Sequence, residues 1–189
     1  PVSTPVDPHV NFKAIDEKCD LKQNLPYREA VGCLNFLAVV SRPDIAFAVN
    51  VVSRYLNNFN DSHWIAVKRI FRYLKSTMNK GIKYTNDNYL AVPLAYSDSD
   101  FAGDLTTRRS TSGFVILFAN GAITWGSQRQ LMVTLSTTEA EYVAASNAMK
   151  EIIWLNSLLN DIGYQSENRI VLNIDKAHEK KSGWSGGLD

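Results

Sequence analysis

Three carboxylates crowd the stretch Tyr96-Ser97-Asp98-Ser99-Asp100-Phe101-Ala102-Gly103-Asp104, directly after an apolar run, and a second acidic pair occurs at Glu139-Ala140-Glu141. Acids grouped in this way repel one another when ionised, and a hard divalent cation relieves that repulsion. Mg²⁺ suits the role because it takes oxygen ligands and keeps several waters. Two such ions ~4 Å apart activate a water and stabilise the leaving oxygen of a phosphodiester. The acids at 98, 100 and 104 superficially resemble a calcium loop, but its twelfth place is Arg109 where a Glu is required. Nucleophilic hydrolysis has no support either, since His9, His63 and His178 accompany no GxSxG elbow. His63, just before Trp64 at a helix start, reads as structural.

The acids need elements to carry them. Residues 92–97 read as a strand that Asp98 follows, and residues 170–174 as another that Asp175 follows. If those two strands lie parallel and adjacent, both aspartates leave the sheet at one edge. Ser136-Thr137-Thr138-Glu139 is a capping box opening a helix over residues 137–162, ending near Gly163. Glu139 is used in that box. Glu141 lies in the second helical turn, with Ala145, Ala148 and Ile152 following on the expected sheet-facing side. A carboxylate there is costly unless it is paired or binds a cation, so Asp98, Glu141 and Asp175 are candidate metal ligands, and for Asp98 and Glu141 the alternative is a pair of satisfied surface acids. Asp104 reads as a turn cap or a partner of Arg108 or Arg109, and Asp100 as a surface or supporting acid.

Around these elements the chain has two textures. Residues 1–25 hold three prolines and no sustained period, and read as an extended lead-in. Helices follow over residues 27–40, 45–56 and, after a loop at 57–62, a basic segment over 62–80, for which Asp61 or Ser62 is the expected N-cap. In that basic segment Lys68, Arg72 and Lys75 share a face, beside an apolar stripe of Trp64, Val67, Phe71 and Leu74. The basic face is either a solvated surface or a phosphate-contacting stripe. From Gly81 onward short strands are expected at 82–84, 92–97, 111–119, 122–125, 132–135 and 170–174. Asn120-Gly121 is the hairpin turn between two of them. The fold class is therefore α/β (α+β), with helices followed by a mixed sheet and one long helix on its face. Expected divisions are 1–80, 81–176 and a flexible tail at 177–189.

Composition limits the function classes. The 189 residues, 45% hydrophobic with net charge +1, suffice for a sizeable core. No run approaches the ~20 apolar residues that span a bilayer, so no membrane partner is expected. The opening Pro1-Val2-Ser3-Thr4-Pro5 resembles no signal peptide and suggests a fragment. Cys19 and Cys33 show no metal or redox spacing and read as reduced, which points to an intracellular protein.

A set of separate motifs then carries a resemblance. Tyr27-Arg28-Glu29-Ala30-Val31-Gly32, Ser41-Arg42-Pro43-Asp44-Ile45, His63-Trp64 with Arg72-Tyr73-Leu74-Lys75, and Tyr96-Ser97-Asp98-Ser99-Asp100 occur in order. Arg108-Arg109-Ser110-Thr111-Ser112-Gly113 and Leu135-Ser136-Thr137-Thr138-Glu139-Ala140-Glu141-Tyr142 follow. Together, over residues 1–175, they resemble the C-terminal part of a copia-type retrotransposon polyprotein. The resemblance implies the end of a reverse transcriptase and its connection, then a ribonuclease H domain with an RNase H-like mixed sheet. It further implies Mg²⁺ or Mn²⁺, two ions in an intact site, and hydrolysis of the RNA strand of an RNA–DNA hybrid. Asp98 matches the acid of the first strand, Glu141 the helix acid, and Asp175 the aspartate of the family's Asp-Asn-Gln-Ser-Ala, here followed by Lys176-Ala177-His178.

The family's later Lys-His-Ile-Asp segment, which supplies a fourth acid, has no counterpart in Glu179-Lys180-Lys181 and the Gly/Ser-rich end. The site and the fold are thus expected to be incomplete there, which separates ancestry from activity. The alternative is an inactive or co-opted remnant that binds nucleic acid through Lys68, Arg72 and Lys75 without cleaving it. A protein-interaction module using Trp184 is a third reading. The resemblance implies an upstream reverse transcriptase domain as partner. The expected compartment is cytoplasmic, in a virus-like particle, or nuclear.

Overall fold

In a computed structural model, residues 2–7, 25–85, 92–164 and 170–174 are described. Asp175, Cys19, His9, His178, Trp184, the greater part of the lead-in and the whole 177–189 tail lie outside them.

Helix α1 (Tyr27–Val40) buries Tyr27, Val31, Leu34 and Ala38, spaced four, three and four residues apart, as one face of a helix requires. The ring of Tyr27 stacks on Phe59 with centroids 4.3 Å apart, and its hydroxyl donates to the Val52 carbonyl. The helix expected over 45–56 is shorter and begins differently. Pro43–Ile45 forms a 3₁₀ turn, and α2 runs over Ala46–Ser53. Pro43 presets that first turn, while Arg42 forks onto Asp44 at 2.7 and 2.9 Å and reaches the Thr77 hydroxyl.

Helix α3 (Asp61–Ser76) is capped by Asn60, where the sequence suggested Asp61 or Ser62. The Asn60 side chain accepts from the Ser62 and His63 amides, and the His63 ring accepts from the Asn60 amide, closing a reciprocal cap. This cap rotates the buried stripe by one position from the one expected. His63, Val67, Ile70 and Tyr73 face inward, Trp64 and Leu74 pack partly, and Phe71 stays exposed. Burial pushes the His63 imidazole down to about 4.

The sheet contains β1 (Leu94–Asp100), β2 (Thr111–Phe118), β3 (Gly121–Arg129) and β4 (Val171–Ile174), in the spatial order β3-β2-β1-β4. Neighbours are antiparallel except β1 and β4, which are parallel, so the arrangement that the sequence left conditional is present. Helix α4 (Thr137–Asp161) connects β3 to β4 and packs on one face of the sheet. Its buried face is mostly alanine, Ala140, Ala144, Ala145 and Ala148, with Ile152 and Leu155 completing it. Small side chains let the helix sit close to the strands. Ala95, Ile116, Ile152 and Leu155 form the core beneath it, distinct from the core of the three preceding helices. Tyr142, Ile153 and Trp154 remain exposed on the outer side of α4. No helix among the described residues is long and apolar enough to cross a membrane.

The hairpin is shifted by one residue from its expected position. Ala119 (φ 49) and Asn120 (φ 67) occupy the two left-handed places, while Gly121 begins β3 opposite Phe118. Gly121 is needed for a different reason: a Cβ there would lie 2.5 Å from the Tyr84 ring. Residues 82–84 are not a strand, although the Thr85 amide donates to the Ala119 carbonyl and Tyr84 to the Ala122 carbonyl. Residues 132–135 form no strand either, since Met132, Val133 and Leu135 point largely to solvent.

Candidate functional site

Asp98 is the fifth residue of β1, which continues to Asp100 where the sequence suggested an end at Ser97. That extension decides which way the acids face. Side chains alternate along a strand, and Ala95 is in the core under α4. Ala95, Ser97 and Ser99 therefore share the α4 side, while Tyr96, Asp98 and Asp100 share the other. Asp98 and Asp100 open into a cleft of about 710 Å³ between the sheet and the Pro43–Ile45/α2 corner, bounded by Phe47, Tyr96, Trp125 and Asn173.

Both aspartates are exposed, and the Asp98 Oδ1 accepts from the Ser99 amide at 2.7 Å. The Asp100 carboxyl is raised above the usual carboxylate range, chiefly by burial of its oxygens. Arg54 opposes that rise and the Asp98 charge adds to it. Asp100 also lies over Gly103, where any Cβ would collide with its carboxylate. Asp100 is thus a cleft neighbour of Asp98. Strand alternation could have shown this had the strand been carried to residue 100.

Glu141 is half-buried in the second turn of α4 and does not line the cleft that holds Asp98. Glu139 is committed at the helix start, as expected: its amide donates to the Ser136 hydroxyl and its carboxylate accepts from the Leu135 amide at 2.7 Å. Register pairs Ser97 of β1 with Ile174 of β4, so the two strands finish their pairing at one edge, one residue before Asp98. Asp175 lies outside the described residues. Among the described residues, no three His, Cys, Asp or Glu side chains form a group that could hold a metal ion.

The described acids differ in their partners. Asp44 pairs with Arg42, Asp7 with Arg69, and Asp104 with Arg129 and Arg54. Neither Asp98 nor Glu141 has an ion pair among the described residues.

Asp104 has a structural role. It caps the following turn, accepting from the Thr106 and Thr107 amides, but its charge partners are Arg129 (2.6 Å) and Arg54 (3.5 Å), not Arg108 or Arg109. Burial alone would raise its carboxyl. The amide bonds and the Arg129 pair outweigh that and hold it at about 2. Arg54, which the sequence reading overlooked, also donates to Thr111 of β2 and Asn50 of α2. With the Trp125 indole on the Ala38 carbonyl and Asn50 on the Ser127 carbonyl, it ties the helices to the sheet. A lone arginine in an apolar helix was the available signal. Lys68, Arg72 and Lys75 all lie exposed along α3, so the expected basic stripe exists as a surface.

No family model and no solved structure matches the chain. Among curated proteins it is 41% identical over 177 residues to the retrovirus-related Pol polyprotein from transposon TNT 1-94 of Nicotiana tabacum. That match covers 90% of the chain and 13% of the polyprotein. It is 38% identical over 175 residues to the Pol polyprotein from transposon RE2 of Arabidopsis thaliana, covering 93% of the chain and 12% of that protein. It is also 45% identical over 133 residues to the secreted RxLR effector protein 161 of Plasmopara viticola, of which it covers 93%, with 70% of its own length. The chain spans about an eighth of the transposon polyproteins that it matches. The ordered motifs and these similarities lead to one statement of ancestry: the chain belongs to the family of copia-type retrotransposon Pol polyproteins.

Proposed function

We propose that the chain is a retrotransposon-derived ribonuclease H unit that hydrolyses the RNA strand of RNA–DNA hybrids, with Asp98, Glu141 and Asp175 as metal ligands. The observation that most supports this is the parallel pairing of β1 with β4, which ends at Ser97 and Ile174, one residue before Asp98; among the described residues neither Asp98 nor Glu141 has an ion pair, a state they share with Glu29, Glu139, Glu151 and Asp161. A carboxylate kept out of ion pairs can serve a cation. The shared edge of β1 and β4 supports the inclusion of Asp175, which follows β4 directly in the chain.

Bound Mg²⁺ or Mn²⁺ would supply an activated water and neutralise charge developing at phosphorus. The chain contributes the positions of its ligands. Strand pairing with β2 fixes the Asp98 backbone opposite Gly113, and the Ser99 amide orients its carboxylate. The alanine face of α4 holds the Glu141 turn against the sheet. Lys68, Arg72 and Lys75 would contact phosphates of the hybrid, and their contribution would fall with salt. An upstream domain of the same polyprotein is the proposed partner in place.

The test is cleavage of a labelled RNA–DNA hybrid in Mg²⁺ and Mn²⁺ by the chain and by its Asp98→Asn and Glu141→Gln variants. Cleavage lost in both variants is the expected result. A folded wild-type chain that cuts nothing would overturn the reading.

One observation favours a second reading. The chain covers 93% of a short relative that is named as an effector and not as a polyprotein. A binding-only descendant of the family would hold hybrid in a salt-sensitive way without cutting it.

A further inference from the structure

Between the end of β3 at Arg129 and the Ser136 cap of α4, the chain exposes Leu131, Met132, Val133 and Leu135, so apolar packing does not hold this link in place. Two buried polar side chains do. Thr134 shares a 2.8 Å hydrogen bond with Ser110 Oγ, which also accepts from the Ala102 amide. Gln130 makes the wider set of contacts. Its backbone amide donates to the Ser110 carbonyl, and its side-chain Nε2 donates twice, to Ser112 Oγ of β2 and to the Ala140 carbonyl of α4, both at 2.9 Å. A carbonyl only accepts, so the amide nitrogen and not its oxygen must face Ala140.

These bonds join the two elements that carry Asp98 and Glu141. Ala140 immediately precedes Glu141 in α4, while Ser112 lies opposite Ser99 of β1, next to the Gly113–Asp98 pair. In its first turns α4 faces the sheet with Ala140, Ala144, Ala145 and Ala148, and Ile152 and Leu155 come only later. Short side chains bring the helix close but interdigitate little, so they resist sliding and rotation weakly. A directional bond fixes what alanine packing leaves free. Stability alone does not account for the amide, because its Oε1 is buried with no hydrogen-bond partner among the described residues. Desolvation of that oxygen offsets the gain from the two bonds.

We propose that Gln130 is a positioning residue that holds the Glu141 turn of α4 in register with the β1–β2 pair carrying Asp98. It acts through Ala140 and Ser112 and touches no reacting group. The consequence, that both carboxylates reach one divalent ion, deepens the ribonuclease reading above and rests on it.

The experiment replaces Gln130 by Met, of similar length but without donors, in the full 189-residue chain. Without metal, amide hydrogen exchange over residues 140–144 should quicken about tenfold, with residues 152–158 unchanged. In a Mn²⁺ titration, the concentration that broadens the amides of residues 98 and 141 together should rise about tenfold, as when a group that orients metal ligands is lost. Hybrid cleavage should lose kcat to a similar degree at unchanged KM. Ser112→Ala removes only the strand end of the bridge and should shift the same readouts in the same direction by less. Tyr27→Phe removes a buried hydroxyl bond in the separate helical core; it should lower the urea midpoint and leave the exchange and Mn²⁺ readouts unchanged.

Wild-type exchange over residues 140–144 in Gln130→Met would overturn the proposal, as would faster exchange that leaves a shared Mn²⁺ site unaltered. An equal Mn²⁺ shift in Tyr27→Phe would also overturn it, because general loss of stability would then suffice. A wild-type chain in which residues 98 and 141 never broaden together would count against the ribonuclease reading, and the exchange rates alone would then decide whether Gln130 holds the turn.

Discussion

Replacing Asp104 by Asn tests the ionic knot that joins the helices to the sheet. Asparagine keeps an oxygen for the Thr106 and Thr107 amides but removes the charge facing Arg129 and Arg54. The carboxyl is held at about 2 in the folded chain, against an ordinary value of 3.8. A depressed acid stabilises the fold at pH above its unfolded value, and that contribution disappears as pH falls through the folded value. The difference corresponds to about 2 kcal/mol at pH 7, about 1 near pH 3 and almost none near pH 2. Stranding two guanidinium groups can add to the loss at neutral pH. Urea unfolding followed by tryptophan fluorescence and circular dichroism, for wild type and variant from pH 7 down to pH 3, gives the comparison. Other titrations cancel in the difference. A stability gap that stayed constant from pH 7 to pH 3 would refute the reasoning, because a loss independent of ionisation is a packing effect.

The remaining expectations are local. Burial of His63 lowers its imidazole to about 4 from 6.5, so the unfolded chain takes up its proton first. Stability from this residue is complete above pH 6.5 and declines by about 3 kcal/mol toward pH 4. His63→Gln should flatten that decline in urea titrations, and an equally steep decline in the variant would exclude His63 as its source. Trp125→Phe removes the 2.6 Å bond to the Ala38 carbonyl and should cost about 1 kcal/mol, read as a lower urea midpoint; no change would mean that water replaces the indole without loss. Gly126→Ala would bring a Cβ within 2.5 Å of the Phe114 ring and should cost about 1–3 kcal/mol by overpacking. An unchanged midpoint would show that the ring moves freely.

Some of this fold could be read from residue patterns and some could not. Helix α1 and the capped start of α4 follow from spacing and side-chain chemistry confined to a few neighbouring residues, and both occur where expected. The parallel pairing of β1 with β4 was conditional on the sequence alone, because pairing joins residues 77 positions apart, as Leu94 with Val171. Failures came where tertiary contacts chose between local options. Asn120-Gly121 had the right composition for a turn, yet packing of Tyr84 against Gly121 moved the turn back by one residue. Asn60 was passed over as a cap because its partner is a histidine, an unusual third member of a capping box. At the site, Asp98 and Glu141 could be singled out by type, but the direction of Asp98 depended on three extra residues of strand. Arg54 gives no periodic signal. Its importance arises from Asp104, fifty residues later.

The claim that Asp98, Glu141 and Asp175 form one metal site is tested most directly by titrating the labelled chain with Mn²⁺ and recording paramagnetic broadening of its amide signals. The account requires residues 98, 141 and 175 to broaden together at the lowest Mn²⁺, and Asp98→Asn to abolish the effect at all three. Broadening confined to residues 98 and 100, with 141 untouched, would contradict it, since the metal would then sit in the cleft shared by the two β1 aspartates.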